Sequence, residues 1–248
     1  SERDIVPEEN EKKKIEIVID SNGALCTNII QKYIHDSDKD RELITVQLLE
    51  ALNKIFNPDA VFKEITVRRH EDDKWEIYFL EEKKEKLVSL SKSGSGLKTV
   101  IQVLLNLLVV PKIENKKASD YIFAFEELEN NLHPALLRRL FNYIEQFAKD
   151  NECHFFITTH SPVVIDKFST CKIAQIIHVT HDGKTARTKT IESFTDKNSL
   201  LDDIGAKASD LMQANGIVWL EGPSDRIYFN KWIELFNKRK KEDEKEIK

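Results

Sequence analysis

An α/β protein is what the sequence predicts, and three observations predict it. Apolar runs of strand length alternate with amphipathic runs of helix length from about Leu87 onward. Two of the strand runs, Tyr121–Phe125 and His154–Thr158, end abruptly in polar tips, as strands of an open sheet do where they reach a crevice. Seven glycines and six prolines in 248 residues are too few for a collagen-like, linker-like or low-complexity chain.

The elements follow in order. The first dozen residues are charged and read as frayed, and Ile15–Asp20 then alternates like a strand. Ile44–Phe56 has apolar residues at helical spacing and is stopped by Asn57-Pro58. Val61–Arg68 and Trp75–Leu80 read as a β-hairpin around the polar tract His70–Asp73. A helix is predicted over Leu97–Val110, a buried strand over Tyr121–Phe125, a long helix over Pro134–Ala148 and a buried strand over His154–Thr158. A short helix follows Pro162, then strand-like runs near Ile173–Val179 and Thr185–Ile191. A last strand, turn and helix over Ile217–Phe236 lie beyond a boundary near Ala206–Asn215, and the charged tail Lys238–Lys248 reads as frayed or helical. No internal repeat is present.

A formal net charge of −5 argues against a surface that is basic throughout, while leaving room for a local basic groove. The longest apolar stretch, Val100–Val110, carries Gln102 and Asn106 and is shorter than the roughly 20 residues a bilayer needs. No membrane association and no secretion leader are therefore expected. Three cysteines without metal spacing suit a reduced, cytoplasmic setting. The chain begins at Ser1, and its only methionine is Met212, which reads as a processed end, a tag remnant or a cut through a longer chain.

Four segments can carry chemistry. In Tyr121–Pro134 an apolar strand ends in Glu126, Glu127 and Glu129, followed by Asn131 and His133. Carboxylates there can hold Mg²⁺ and orient a water, or they can simply complement the dipole of the helix that begins at Pro134. In His154–Pro162 a second strand ends in Thr159-His160-Ser161, with Ser161 at the N-cap and Pro162 at the first helical position. One strand–helix–strand unit separates the two tips, which puts both on one edge of a parallel sheet, where a neutral imidazole can meet a phosphate or a water.

Third, Ser89–Lys98 concentrates Gly94 and Gly96 before a helix, with Ser91, Ser93 and Ser95 around them. Such a loop is either a phosphate cradle or an ordinary flexible helix entry. It is not the phosphate loop G-x-x-x-x-G-K-[ST], because Ser91 holds the first glycine's place and Leu97 intervenes before Lys98. Fourth, in Ala214–Phe229 Glu221 leaves an apolar strand, Gly222 permits a turn, Ser224 caps, and Asp225 faces back toward Glu221. The two acids can share a divalent cation for phosphodiester cleavage; the alternative is a capped turn with an acid in the helix's first turn.

In this order the first three segments resemble the ABC-type ATPases of the SMC and recombination-repair branch, and most of all the overcoming-lysogenisation-defect (OLD) family. The fourth resembles the opening of a Toprim domain, which follows the ATPase part in that family. The resemblance implies the C-terminal part of an ABC-type, SMC-like P-loop NTPase domain followed by the first strand and helix of a Toprim domain. It makes Glu126 the Mg²⁺-side Walker B acid and Glu127 the general base, puts Asn131 and His133 in the D-loop region, and makes His160 the switch histidine at the γ-phosphate. Ser91, Ser93, Gly94, Ser95 and Gly96 become a signature loop that touches ATP bound by a second subunit. The implied assembly is a homodimer or higher homo-oligomer. Leu128 stands where the family has proline, which alters the stiffness of the turn and removes no functional group.

The Walker A pattern is found nowhere in the chain, and in the family it lies upstream, nearer the N-terminus. After Phe236 no further strand or acidic cluster completes a Toprim metal site; Glu242, Asp243 and Glu244 sit in a lysine-rich run. The resemblance therefore covers about Lys86–Phe236. The expected division is an α+β segment with a hairpin over 1–85, an ATPase lobe over 86–206, and a linker with the Toprim start over 207–248. The expected function is ATP-regulated, metal-dependent DNA cleavage in antiphage defence. It uses ATP with Mg²⁺ at the ATPase, Mg²⁺ or Mn²⁺ (Glu221, Asp225) at the Toprim part, DNA as substrate and a possible defence partner protein. The rival expectation is an ABC-type ATPase that serves as sensor or scaffold for a separate effector.

Overall fold

The computed structural model describes residues 8–9, 23, 25–69, 74–83, 85–130, 132–169, 171–191, 220 and 222–246, which form two units divided between Lys197 and Asn198. The strand expected over Ile15–Asp20 and that expected from Ile217 lie outside the described residues.

In the first unit, strands and helices alternate as expected. α1 spans Cys26–His35. A wide π-turn over Leu43–Leu48 runs into α2, Leu49–Phe56, which ends where Asn57 takes an extended conformation before Pro58. The hairpin is present as β2, Phe62–Arg69, and β3, Lys74–Glu81, with Val67 opposite Ile77 and Ile65 opposite Phe79. The side chain of Asn53 docks α2 on β2 by donating to the carbonyl of Phe62 and accepting from its N–H, both at 2.8 Å. β4, Lys86–Ser89, pairs antiparallel with the far end of β3, and β1, Glu8–Glu9, with its near end. Of the first dozen residues, expected to be frayed, Glu8 and Glu9 are paired with Trp75 and Lys74, and the others lie outside the described residues.

The helix predicted over Leu97–Val110 is longer: α3, Ser95–Leu104, continues through a π-turn over Leu105–Val109 into α4, Val110–Ile113. Pro111, which lacks an N–H to donate, sits just past the widened turn. This 19-residue run extends beyond the Val100–Val110 stretch and by length and composition alone could cross a membrane, with an 18-residue window of mean hydropathy 1.5, but 67% of that window is buried within the protein, as in a core helix. Val100, Ile101, Leu104 and Leu105 are wholly buried there, in one core with Leu52 and Ile55 of α2, Ile77 and Phe79 of β3, and Leu140 and Phe141 of the helix described next.

β5, Ile122–Glu126, α5, Pro134–Asn151, β6, His154–Thr158, and α6, Pro162–Phe168, form the unit that carries the tips. β5 and β6 pair in parallel, as expected. They are half-buried and not fully buried: Phe123 is in the core while Ile122 and Phe156 are 68% and 64% exposed. Side chains alternate across a strand, and among the described residues helices cover one face of this sheet. Leu136, Leu137, Leu140 and Ile144 turn the apolar side of α5 inward, and Arg139 ties it to α2 by donating to the carbonyl of Ile55 at 2.6 Å and pairing with Asp59. A separate hairpin, β7, Ile177–His181, and β8, Ala186–Thr190, follows.

In the second unit the described structure is one helix, α7, Pro223–Glu246, so the charged tail is helical through Glu246.

Candidate functional site

The parallel register sets Glu126 opposite Thr158, so β5 and β6 end level and deliver their next residues to one edge. Glu127 begins that edge. Its N–H donates to the carbonyl of Thr158 at 3.0 Å, which extends the ladder by one bond, and its φ of 45° turns the chain sharply out of the sheet. Left-handed backbone in a glutamate is strained by on the order of 1 kcal/mol or more, and such strain collects where geometry matters. Leu128, wholly buried, anchors the turn from below.

The turn aims Glu127 at the second tip. Its Oε1 lies 3.8 Å from Nε2 of His160, and its Oε2 accepts from Nδ2 of Asn130 at 2.8 Å. Both Glu127 and His160 reach solvent, with side chains 44% and 79% exposed, so a ligand can approach them. Glu129 holds the arrangement: its Oε1 accepts from Oγ1 of Thr159 and from the N–H of His160, each at 2.7 Å. Its Oε2 is buried and has no hydrogen-bond partner among the described residues. Two short bonds to one carboxyl oxygen fix the backbone that carries the imidazole. The sequence reading named Glu129 within its motif and gave it no role; the signal for one was a third acid separated from the pair by a single apolar residue.

Ser161 holds the N-cap position of α6 as expected, but its side chain makes no capping bond; Thr159 Oγ1 instead accepts from the N–H of Ser161 at 3.0 Å. His133 caps α5, its Nδ1 accepting from the N–H of Ala135 at 3.3 Å, so this imidazole serves the helix start. Glu126 is exposed at the strand end. Asn131 lies outside the described residues.

The Gly/Ser loop is built by β3 and β4. Ser91 donates both its N–H, at 3.2 Å, and its hydroxyl to the carboxylate of Glu76, a residue only 3% exposed that the sequence reading missed. Ser93 turns back, its hydroxyl donating to the carbonyl of Ser89 at 2.7 Å. Gly94 is the N-cap of α3, and a Cβ placed on it would meet nothing within 4 Å among the described residues. Crowding within the chain therefore does not require glycine there. Ser95 and Gly96 form the first turn of α3, half-buried, with open space beside Gly94.

At the fourth segment Glu221 lies outside the described residues. Ser224 sits inside α7, whose first residue is Pro223, and is not its cap. Asp225 Oδ2 instead accepts from the N–H of Gly222 at 3.1 Å, the bond expected of the capped-turn alternative. Among the described residues no three His, Cys, Asp or Glu side chains converge as a metal ion would need.

Several solved structures are similar to the chain. An Smc head domain with coiled coil and joint derived from Pyrococcus yayanosii is 16% identical over 66% of this chain and 29% of that one, with a TM-score of 0.49. A chain from work on ATP-driven dimerization and DNA-stimulated activation of SMC ATPases is 16% identical over 67% of this chain and 95% of that one, at 0.47. An SmcHead bound to the C-winged helix domain of ScpA is 16% identical over 68% and 50%, at 0.47. This chain thus spans less than a third of the first and half of the third. No curated protein matches it. Residues 20–166 match the family described as AAA domain, putative AbiEii toxin, Type IV TA system, and with more than half of its length inside that match the chain belongs to this ATPase-type family.

Proposed function

We propose that the chain is the head of an OLD-like DNA nuclease, in which pairing with a second ATPase-type head controls cleavage by a Toprim-type metal site. The observation that carries this reading is the meeting of Glu127 and His160, 3.8 Å apart on the exposed edge where two parallel strands end. A carboxylate and an imidazole so placed can take a proton from a water and orient it toward a phosphoryl group. Glu126, one residue back at the strand end, suits a Mg²⁺-side acid. Gly94, with open space around its α-carbon at the start of α3, suits close approach by a nucleotide on the second head.

Beyond the head, Glu221 and Asp225 are proposed to hold Mg²⁺ or Mn²⁺ for phosphodiester cleavage, with antiphage defence as the setting. Asp225 already bonds to Gly222 across the turn, so metal binding there exchanges one acceptor role for another. The test is DNA cleavage by the full-length protein with Mn²⁺, in wild type and Glu221→Ala. Loss of cleavage in the variant is expected, by on the order of 100-fold or more for a metal ligand. Equal cleavage removes the nuclease reading and leaves an ATPase-type head that serves a separate effector.

A further inference from the structure

The match to the ATPase-type family starts at residue 20, so the segment ahead of α1 lies inside the ATPase domain. Its sequence has the order of a phosphate loop, a strand-like run over Ile15–Asp20, a short loop, then a helix from Cys26. With Thr27 set on the final position of G-x-x-x-x-G-K-[ST], Cys26 takes the place of the lysine, Leu25 that of the second glycine and Asp20 that of the first. The backbone supports this register independently. Leu25 has a φ of 70°, in the left-handed region that glycine enters freely and leucine enters only under strain. Gly23, two residues earlier, has a φ of 91°. A leucine held in this conformation directly before a helix start occupies a glycine's position.

A triphosphate does not fit the residues present. A working loop needs bare backbone N–H groups at an open helix start, a lysine for the β- and γ-phosphates, and a hydroxyl for Mg²⁺. A thiol carries no fixed positive charge, and Cys26 is 0% exposed. Thr27 keeps the hydroxyl but is 1% exposed, and Asn28 is 4% exposed, so the first turn of α1 is packed into the protein. The basic residues that α1 itself offers, Lys32 and His35, are in its last turn. Lys32 stands six residues beyond Cys26, about 9 Å along the axis at roughly 1.5 Å per residue.

We infer that residues 20–27 are a phosphate loop that has lost its phosphate-holding chemistry, and that this head does not hydrolyse ATP on its own loop. One consequence rests on the function proposed above. A nucleotide clamped against the signature loop of this chain has its phosphates held by a different chain that carries an intact lysine.

The test is phosphate release from ATP with Mg²⁺ by the full-length protein, in wild type, Thr27→Val, the double variant Leu25→Gly/Cys26→Lys, and that double variant with Thr27→Val added. Wild type is expected to release no phosphate above a protein-free control. The double variant releases phosphate on the order of 10²-fold faster than the protein-free control, the scale of one positioned phosphate donor, and falls back to that control with Thr27→Val. Turnover in wild type that Thr27→Val abolishes overturns the inference; turnover that survives Thr27→Val arises outside this loop and supports it. A folded double variant with no gain also overturns it. Because Cys26→Lys places an ammonium in a buried site, binding of a fluorescent ATP analogue to wild type is measured in parallel. No binding is expected, and binding that Thr27→Val removes overturns the inference without the double variant. These readouts do not involve Glu221, so they fail separately from the nuclease reading.

Discussion

The tip formed by β5 and β6 and the loop ahead of α1 lie in one ATPase-type domain and differ in what they retain. At the tip, Glu127 and His160 face each other at 3.8 Å and stay open to solvent. At the loop, backbone torsions suited to a phosphate remain at Gly23 and Leu25, while the side chains that would hold it are replaced and the helix start is buried. Both places strain a non-glycine residue, Glu127 at φ 45° and Leu25 at φ 70°. The difference teaches that backbone geometry and phosphate chemistry are separable. The core formed by Ile29, Ile30, Leu52 and Phe79 stands beneath a left-handed Leu25 with cysteine in the lysine's place.

The strongest way to sharpen the comparison is to make the tip depend on the loop. In the Leu25→Gly/Cys26→Lys background, Glu127→Gln is expected to return the regained phosphate release to the protein-free level, a fall of on the order of 10²-fold and within the usual reach of general-base catalysis, while leaving nucleotide binding intact. Undiminished turnover removes Glu127 as the base and reduces the tip to a structural turn.

Next in size is Glu129, which the structure assigns to holding the tip together. Glu129→Ala deprives the hydroxyl of Thr159 and the N–H of His160 of their common acceptor. Bonds to a charged acceptor contribute about 1.5–3 kcal/mol, and the unpartnered Oε2 offsets part of that in wild type. A loss of about 2 kcal/mol in urea unfolding is expected, smaller for Glu129→Gln, which keeps an acceptor oxygen. An unfolding curve that matches wild type breaks the account of how the tip is held.

Much of this was legible in the sequence, and the failures have physical causes. Strand-like runs around a polar tract placed β2 and β3, apolar runs ending in polar tips placed β5 and β6, and the Pro134 and Pro162 starts placed α5 and α6. The parallel pairing of β5 with β6 followed from the helix between them, and with it the approach of the Glu127 and His160 tips. The helix over Cys26–His35 was missed because its buried first turn reads Cys-Thr-Asn, poor helix formers that tertiary packing overrides. Missing α1 also hid the loop before it, whose motif shares only Thr27 with the phosphate-loop pattern. The role of Glu76 beneath Ser91 joins positions 15 residues apart, and no local spacing rule reaches that far.

The smallest expected effect asks whether the tip is also braced from behind. α6 follows His160 directly, and Lys167 on α6 reaches back to α5, donating to Glu145 at 2.9 Å and to Asn142 at 2.6 Å. Lys149 completes the cluster, donating to Glu145 at 2.6 Å. Hydrogen bonds from Lys149 and then Lys167 hold the Glu145 carboxyl down to about 2, against an ordinary value of 4.5. Because the folded-state value is depressed, the contribution is complete above about pH 4.5 and is lost as pH falls toward 2. Glu145→Gln is therefore expected to cost about 1 kcal/mol at pH 7, the scale of a partly solvated pair, and only a small fraction of that near pH 2. Thermal unfolding of both proteins between pH 7 and pH 2 measures the gap. A gap that closes with falling pH assigns the brace to this charge cluster. A gap constant across that range means that Glu145 contributes by packing alone, and that α6 is held in place by Val164 and Ile165, both buried.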